Sequence, residues 1–371
     1  MKHGTEPIPS MASTLHTSKP HASGPGSAAA ALADVAGLRQ RLVDALAPVI
    51  VGQRDVLDGV LVALVSGGHC LLEGVPGLAK TLLVKSLAQA LALDFGRIQF
   101  TPDLMPADIT GTEVLEEERL PDPTTLSTTA TRRLRFLPGP IFRNVLLADE
   151  INRAPPKTQS ALLEAMQERH VTVGGSAHEL PQPFIVLATR NPIEQEGTYP
   201  LPEGQLDRFM FLLHVDYPDT ADELEIVRRT TGPDQPAITP VVDREMLGVA
   251  SRVVRALPVS DHVMRRAVEL ARATRPTAKE SPEWLRSLVR YGAGPRASQF
   301  LVLAAKALAA FDGRPCAEVR DVNRAAAAVL RHRIITTFEA ESEGIRPDAI
   351  VSRLLGVDAA QPAFGTATRG A

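Results

Sequence analysis

The chain reads Glu73-Gly74-Val75-Pro76-Gly77-Leu78-Ala79-Lys80-Thr81-Leu82 directly after the apolar pair Leu71-Leu72. Glycines at 74 and 77 permit backbone conformations closed to other residues and can turn successive N–H groups toward phosphate oxygens. Lys80 can then reach the β- and γ-phosphates of a nucleotide, and the Thr81 hydroxyl can ligate Mg²⁺. A helix that begins near Ala79 adds the positive end of its dipole. The stretch from Gly74 to Leu82 therefore predicts a phosphate-binding loop for a nucleoside triphosphate.

One position departs from the general loop pattern, because Ala79 stands where a second glycine is usual. A residue that enters helical geometry tolerates a methyl group, so we interpret the loop as a variant. The alternative is a chance glycine-rich turn before a helix. A second motif downstream argues against that alternative.

The second motif is an apolar strand that ends in two carboxylates, Asn144-Val145-Leu146-Leu147-Ala148-Asp149-Glu150. Asp149 would hold the metal through its water shell, and Glu150 would polarise the attacking water. Paired acids at a strand end can instead be ordinary loop solvation. Their position after a phosphate-binding loop favours hydrolysis.

Two further polar residues follow the next predicted strand, at residues 184–189. Asn191 would lie beside the γ-phosphate and could bond it or the nucleophilic water, although an asparagine before a proline is also a common turn. Arg208 could complete the transition state of ATP bound to a neighbouring subunit. The alternative for Arg208 is a local ion pair with Asp207.

The composition is that of an ordinary soluble chain of 371 residues, with 44% apolar and 22% charged residues and a net charge of −3. This length allows two domains and a large core. The negative charge and the 4% aromatic content do not favour nucleic acid as a partner. Cys70 and Cys316 predict reduced thiols and a cytoplasmic protein. No apolar stretch predicts a membrane segment, and no histidine spacing predicts a transition-metal site.

Strands and helices alternate along the first part of the chain. We expect strands at residues 69–72, 97–100, 145–148, 185–188 and 211–215, and helices at 32–50, 54–66, 80–91 and 156–168. Such alternation implies the α/β class, with a parallel sheet covered by helices on both faces. Ligands then bind at the carboxyl ends of the strands, where Gly74, Asp149 and Asn191 fall.

Two segments are predicted to project from this sheet. Residues 101–140 are long for a simple crossover, and they carry an acidic run at 116–118 and a basic run at 132–135. Opposed charges around a turn suit a hairpin or loop. Residues 170–180 combine β-branched alternation with paired glycines, which predicts a second hairpin.

After Pro218 the sequence predicts helices alone, at residues 220–229, 243–256, 261–275, 283–291, 297–311 and 321–331. Arg296 begins one of them and could reach the γ-phosphate from a lid domain; a solvent-facing arginine is the alternative. The chain thus divides into a disordered N-terminal extension (1–30), an α/β ATPase core with its two inserts (31–217), a helical lid domain (218–357) and a flexible tail (358–371).

Together these residues resemble the MoxR-type AAA+ ATPases of the helix-2-insert clade. The resemblance spans residues 51–333 and rests on GVPGLAKT (74–81), FTPDLMPADITG (100–111), LPGPIF (137–142), LLADEINRAPPKTQSALLEAMQER (146–169), ATRNPIEQEGTYPLPEGQLDRF (188–209) and GPRAS (294–298). It implies a P-loop AAA+ parallel-sheet domain followed by an all-helical lid.

The resemblance also implies roles for particular residues. Gly52 and Gln53 would lie beside the adenine, Asn191 would be the first sensor, Arg208 the arginine finger and Arg296 the second sensor. Residues 101–140 would be the helix-2 insertion and residues 170–180 the hairpin before the sensor strand.

Three further positions bear on the family pattern. Arg153 lies in a subunit-facing stretch and could also act across an interface. Arg190 replaces an expected glutamine beside the first sensor. Gly204 replaces an expected alanine near the finger.

We therefore expect a Mg²⁺-dependent ATPase that forms a homo-oligomeric ring, a hexamer, with each ATP at a subunit interface. By resemblance its output is chaperone-like remodelling, maturation, or metal or cofactor loading of a client protein, alongside a von Willebrand factor A-domain partner. A DNA-directed ring motor is one alternative, supported only by the basic run at 132–135. A nucleotide-gated scaffold with little turnover is the other.

Overall fold

The structure is a computed structural model that describes residues 25–121, 128–193, 197–233 and 236–356. Residues 1–24 of the predicted extension and the predicted tail lie outside these ranges. The first helix begins at Pro25 and ends at Leu46. Residues 25–30 are therefore helical, where the sequence predicted disorder, and the helix stops four residues before the predicted Ile50.

The helices are α1 (Pro25–Leu46), α2 (Arg54–Ser66), α3 (Lys80–Ala90), α4 (Pro106–Thr110), α5 (Pro156–Glu168), α6 (Glu203–Leu206), α7 (Thr220–Thr231), α8 (Arg244–Ala256), α9 (Asp261–Ala273), α10 (Glu283–Arg286), α11 (Pro295–Phe311), α12 (Val319–Leu330), α13 (Phe338–Ser342) and α14 (Pro347–Leu355). The strands are β1 (Cys70–Glu73), β2 (Phe95–Gln99), β3 (Gly111–Pro121), β4 (Thr128–Pro138), β5 (Val145–Asp149), β6 (His170–Val173), β7 (Ser176–Glu179), β8 (Ile185–Arg190), β9 (Phe211–His214), β10 (Val289–Tyr291) and β11 (Ile335–Thr336). Within the ranges given above, no helix is long and apolar enough to cross a membrane.

Five parallel strands form the central sheet in the order β2-β5-β8-β1-β9, which confirms the predicted α/β class. Strands β1, β5 and β8 are buried almost throughout, as expected for strands with apolar residues on both faces. In the register, Leu72 pairs with Thr189 and Ala148 with Ala188. The loops that follow these three strands therefore meet at one edge of the sheet.

Both predicted projections are antiparallel hairpins. Strands β3 and β4 pair along their whole length, and the opposed charges face each other across the hairpin. Glu116 lies 3.3 Å from Arg135, and Glu117 lies 3.6 Å from Arg132. Residues 122–127, between the two strands, lie outside the described ranges.

The second hairpin, formed by β6 and β7, packs against the first. The Phe136 ring stacks on the His178 ring with centroids 3.8 Å apart. At the turn of the second hairpin, a Cβ added to Gly174 would overlap the Glu113 carboxylate. The two hairpins therefore touch through aromatic side chains and through a turn that only glycine fits.

A helical lid follows the sheet, as predicted, but its hydrophobic core is not separate. The core runs continuously from α1 and α2 through one face of the sheet into α8, α9, α11 and α12. Leu42, Leu61, Leu213, Leu247 and Leu301 all belong to it. The many buried alanines of α11 and α12 let these helices lie close together.

The lid is not entirely helical. The helix predicted at residues 283–291 ends at Arg286, and Val289–Tyr291 forms a strand that pairs with Ile335–Thr336. Valine and tyrosine favour strands where a partner strand is available, and here a distant segment supplies it.

Candidate active site

The phosphate-binding loop joins the end of β1 to the start of α3, and its two glycines are needed for different reasons. A Cβ at Gly74 would come within 2.4 Å of the Val215 carbonyl oxygen, so any side chain there would push away the backbone that follows β9. Gly77 has a φ of +87°, a left-handed conformation that favours glycine. The expectation of a special backbone conformation is therefore confirmed for Gly77 and wrong for Gly74, which provides close packing.

Ala79 does not have the helical geometry that the sequence predicted. Its φ is 54° and its ψ is 22°, which is the left-handed region, and α3 begins one residue later at Lys80. This conformation costs a residue with a Cβ about 1–2 kcal/mol. The loop therefore holds Ala79 in a strained state that a glycine would adopt freely.

Lys80 lies at the centre of the loop and is half-buried. Its ammonium donates to the carbonyl oxygens of Gly74 and Val75, the second at 3.2 Å. Burial lowers the pKa of Lys80, and the negative charge of Asp149 is the largest effect opposing it. The ammonium has three donors, so it can exchange carbonyl for phosphate oxygens without leaving the loop.

A cavity of about 460 Å³ lies over the loop at the carboxyl edge of the sheet. Residues 76–82 of the loop line one side of it, and Asp149, Glu150 and Asn191 line the other. The structure thus brings together the three sequence elements that were predicted to bind and hydrolyse a nucleotide. Asn191 is buried, and its side-chain oxygen accepts from the Ile193 N–H at 3.1 Å.

Both carboxylate oxygens of Asp149 are already bonded. One accepts from the Thr189 hydroxyl at 2.6 Å, and the other from the Arg97 guanidinium at 2.7 Å. Thr81 lines the same cavity. A hydrated Mg²⁺ fits this set, because the Thr81 hydroxyl is available for direct contact and Asp149 for contact through water.

Glu150 follows in the left-handed region, with a φ of 56°. Its N–H donates to the Thr189 hydroxyl at 2.8 Å, which fixes the backbone where the carboxylate enters the cavity. The carboxylate accepts from the Gln99 amide at 3.0 Å and lies 3.2 Å from the Arg153 guanidinium. Both contacts are made to the Oε2 oxygen, so Glu150 can polarise a water through Oε1 while they persist.

Sequence reasoning missed Arg97, Gln99 and Thr189, which bond the two acids. The positions of Arg97 and Gln99 could have been predicted from the alternation along β2, in which Ile98 is buried and the residues on either side of it are exposed. Alternate residues of a strand share a face, so Arg97 and Gln99 point to the same side. That side faces the end of β5, because Gln99 pairs with Asp149 in the sheet register.

The two residues expected beside the adenine, Gly52 and Gln53, line a second cavity of about 610 Å³. Gly52 has a φ of +65°, and a Cβ there would lie 2.4 Å from the Asp222 carboxylate. The Gln53 side chain donates to the Leu78 carbonyl oxygen of the phosphate-binding loop at 3.2 Å. This second cavity therefore adjoins the loop and offers room for a base and ribose.

A chain of charged side chains connects the start of the loop to the lid. Glu73 pairs with Arg190 and lies 3.4 Å from His214, which lies 3.4 Å from Asp348. Asp348 in turn lies 2.9 Å from the buried Arg331. The arginine that replaces an expected glutamine at position 190 thus has an acidic partner at the end of β1.

The pKa values of this chain follow from its pairing. Burial alone would raise the pKa of Glu73, but His214 and Arg190 outweigh it and hold the pKa at about 2. Burial would lower the pKa of His214, but Asp348 and Glu73 raise it above its usual value. The charged forms of both side chains are therefore favoured in the folded protein.

Arg208 does not line the phosphate cavity. It lies in the turn between α6 and β9 formed by residues 207–210, which we call the Arg208 turn. It is half-exposed, and no described residue forms a hydrogen bond or ion pair with its guanidinium. The alternative of an ion pair with Asp207 is wrong, because Asp207 is taken by Arg333 at 2.7 Å and by Arg296 at 3.3 Å. Arg296 therefore contacts this turn and does not line the phosphate cavity.

Comparison with known proteins places this arrangement in a family. The ATPase family associated with various cellular activities (AAA) matches residues 69–211, and the AAA lid domain matches residues 284–354. The chain is 41% identical to the chaperone MoxR1 of Mycobacterium tuberculosis, over 92% of this chain and 87% of that protein. It is 31% identical to the protein MoxR of Paracoccus denitrificans, over 82% of this chain and 91% of that protein. The chain belongs to the MoxR family of AAA+ ATPases.

A solved structure supports the same fold for this MoxR-family ATPase. A crystal structure from Cytophaga hutchinsonii matches it with a TM-score of 0.79 and 40% sequence identity, covering 90% of this chain and 98% of that chain. The fold is therefore that of a P-loop AAA+ domain with a helical lid.

Gly74 and Val75 line neither cavity and accept from Lys80 through their carbonyl oxygens, whereas the other predicted site residues fall into two groups. The loop from Pro76 to Leu82, the two acids and Asn191 surround one cavity, and Gly52 and Gln53 line the adjoining one. Arg208 belongs to the Arg208 turn and Arg296 contacts that turn at Asp207, and neither residue lines either cavity.

Proposed function

We propose that this MoxR-family ATPase works as a hexameric ring in which each ATP binds, with Mg²⁺, between two subunits. The observation that carries the proposal is Arg208, a half-exposed cation that has no partner within the described ranges. The arginines that line the phosphate cavity, Arg97 and Arg190, are engaged by Asp149 and Glu73. An arginine that is unengaged and does not line its own cavity is suited to complete the ATP site of a neighbouring subunit.

Within one subunit, the loop from Gly74 to Leu82 binds the phosphates, and Lys80 contacts the β- and γ-phosphates. Gly52 and Gln53 adjoin the adenine. Mg²⁺, held directly by Thr81 and through water by Asp149, would neutralise charge on the phosphates.

Hydrolysis then needs a water and a stabilised transition state. Glu150 polarises the water, and Asn191 holds the water or the γ-phosphate through its amide. Arg208 of the adjacent subunit stabilises the charge that develops on the phosphate, an effect worth about 10³–10⁵ in rate in known cases. Arg296, bonded to the same turn, is the proposed second sensor.

The proposed output is remodelling or maturation of a client protein, including metal or cofactor loading, with a von Willebrand factor A-domain protein as partner. A relative at 41% identity is named a chaperone, which supports the general role. The first hairpin exposes the cross-strand pair Leu115 and Leu134, 60% and 66% exposed, away from any core. An exposed apolar pair on a projecting strand suits contact with apolar segments of a client.

Two observations disfavour the alternatives. Arg132 and Arg135, which supported a DNA-directed motor, face Glu117 and Glu116, so the hairpin carries little excess positive charge. Glu150 lines the phosphate cavity, which disfavours a scaffold that binds ATP without turnover. Because ATP is the substrate, a cytoplasmic location is part of the proposal.

The test is the steady-state Mg²⁺-ATPase rate as a function of protein concentration, with ring size measured by sedimentation. We expect the specific activity to rise with concentration as hexamers form, and to fall about 10³-fold in Arg208→Ala. The matched control is Arg252→Ala, which removes an exposed arginine of α8 and leaves the rate unchanged. A rate that is independent of concentration and equal in Arg208→Ala would overturn the shared site. Stimulation of the rate by an added von Willebrand factor A-domain protein would support the partner.

A further inference from the structure

Arg333, in the turn after α12, is a buried cation whose bonds converge on the Arg208 turn. Its side chain is 2% exposed, and its Nε donates to the Asp207 carboxylate at 2.7 Å. Its Nη2 donates to the carbonyl oxygens of Asp207 and Phe209 at 2.8 and 2.7 Å. Burial lowers the pKa of Arg333 to about 10, with Asp207 opposing, so the guanidinium stays charged at neutral pH. The planar guanidinium reaches the carboxylate and the two carbonyls from two separate nitrogens, a geometry that the single nitrogen of a lysine does not reproduce.

The Arg208 turn is short, and the Met210 N–H anchors its far end to the His69 carbonyl oxygen at 2.8 Å. The N–H groups of Arg208 and Phe209 bond the carbonyls of Gln205 and Leu206, at 3.2 and 3.1 Å, in the four-residue helix α6. On the opposite side of the turn, Arg333 donates to Asp207 and Phe209, and His332 Nε2 lies 3.1 Å from the Phe209 carbonyl oxygen. Without Arg333 the Asp207 carbonyl oxygen would lose its donor, and a polar group that loses its donor must move toward another one, so this arginine helps to set the position of the turn.

The bonds of Arg333 also connect the turn to the lid. The guanidinium lies over the Phe300 ring of α11, 5.2 Å from its centroid. Arg296, also on α11, contacts the second carboxylate oxygen of Asp207 at 3.3 Å. Asp207 is thus held by α11 and by the turn after α12. A shift of these lid helices would move Asp207 and, with it, the adjacent Arg208.

We propose that Arg333 is a positioning residue that fixes the arginine finger to the lid of its own subunit. Hydrolysis in one subunit would then depend on the lid of the neighbour that supplies the finger. The inference rests on the proposed role of Arg208. Beyond that role, the inference states that the Arg333–Asp207 contact affects hydrolysis only when it lies in the subunit that donates the finger.

The test uses rings mixed from two full-length variants that are each inactive alone. Glu150→Gln subunits bind ATP and keep their finger, whereas Arg208→Ala subunits keep Glu150 but have no finger. The mixture hydrolyses ATP only where a Glu150→Gln subunit presents Arg208 to an Arg208→Ala site. Arg333→Lys is then introduced into one type of subunit at a time, because lysine keeps the charge but cannot make the forked contact.

With Arg333→Lys in the Glu150→Gln subunit, we expect the recovered rate to fall at least about tenfold, since a displacement of about 1 Å can cost about 10²-fold. With Arg333→Lys in the Arg208→Ala subunit, the rate remains that of the parent mixture, because that subunit presents no finger. Equal losses in both arrangements would overturn the inference, since a folding defect acts from either subunit. No recovered activity in the parent mixture would instead overturn the role of Arg208, and the inference with it.

Asp207→Asn is a second variant that leaves the buried arginine in place. Its side chain is 29% exposed, so folding is less disturbed than by a change at Arg333. We expect Asp207→Asn to lower kcat when it is placed in the Glu150→Gln subunit and not when it is placed in the Arg208→Ala subunit. We expect no change in the Kd of a fluorescent ATP analogue. A weaker Kd would contradict the inference, because positioning the finger acts on hydrolysis and not on binding.

Discussion

The phosphate-binding loop and the Arg208 turn each present one functional cation, and they hold it in opposite ways. Lys80 is half-buried and donates to two carbonyls of its own loop. Arg208 has no hydrogen-bond or ion-pair partner among the described residues, although the acid beside it is doubly paired. This difference fits the proposed roles, in which Lys80 binds the phosphates of its own subunit and Arg208 acts on the ATP of a neighbouring subunit.

The largest expected effects come from removing Arg208 and Lys80 in turn and comparing kcat and the Kd for ATP. Arg208→Ala should lower kcat about 10³-fold or more and leave the Kd for ATP unchanged. Lys80→Ala should raise that Kd about 10- to 100-fold, because it removes a charged hydrogen bond to the phosphates. Kd is measured by fluorescence titration with an ATP analogue and kcat by phosphate release. If Arg208→Ala weakens binding as much as Lys80→Ala, Arg208 belongs to its own subunit's site and the comparison fails.

The next largest effect is expected at Glu150, and it shows whether the residues around the phosphate cavity hydrolyse ATP as well as bind it. Glu150→Gln should lower kcat about 10²- to 10⁴-fold, since an amide cannot polarise the attacking water. Binding of the ATP analogue should persist, because the loop is unchanged. The control is Glu164→Gln, an exposed acid of α5, which should turn over like the wild type. Equal turnover in Glu150→Gln and in the control would favour the alternative of a nucleotide-gated scaffold with little turnover.

A pH experiment sharpens the comparison by probing the charges behind the phosphate-binding loop. The pKa of Glu73 is about 2 in the folded chain against an ordinary 4.5, so its ionised form stabilises the fold above pH 4.5. This contribution is lost as the pH falls toward 2. We expect Glu73→Gln to flatten the dependence of the free energy of unfolding on pH below 4.5, removing up to about 3 kcal/mol. Glu245→Gln, at an exposed site on α8, should leave the curve unchanged in urea titrations.

The smallest effect concerns the backbone of the loop. Ala79→Gly should raise the free energy of unfolding by about 0.5–1 kcal/mol, because relief of the left-handed strain exceeds the added entropy of the unfolded chain. Ala33→Gly, at an exposed site within α1, should lower it by about 1 kcal/mol. Chemical denaturation measures both. A loss of stability in Ala79→Gly would mean that the loop does not hold position 79 in a left-handed conformation.

The same two regions show how far the sequence could predict the structure. The phosphate-binding loop and the Asp149-Glu150 pair were predictable because their residues are neighbours in the chain and carry fixed chemical roles. The partners of the two functional regions were not, because they are distant in sequence. Arg97 lies 52 positions from Asp149, and Arg333 lies 126 positions from Asp207.

Backbone conformations that depend on tertiary contacts also escaped prediction. The left-handed conformation of Ala79 and the strand at Val289–Tyr291 both contradict the local pattern. In each case a contact from elsewhere in the chain decides between conformations of similar local energy. The hairpins, by contrast, were predictable from charge, β-branching and paired glycines within a few residues.

The continuous core has a consequence for modularity. Helices α1 and α2 precede the phosphate-binding loop, yet they pack with α8 and α11 of the lid in one hydrophobic cluster. A fragment that ended at Pro218 would leave Leu42 and Leu61 without their cover and would expose a large apolar surface. The nucleotide-binding region is therefore not a cassette that could be excised or grafted. Recombination could exchange the two hairpins, which stand clear of that core, far more easily than it could exchange the lid.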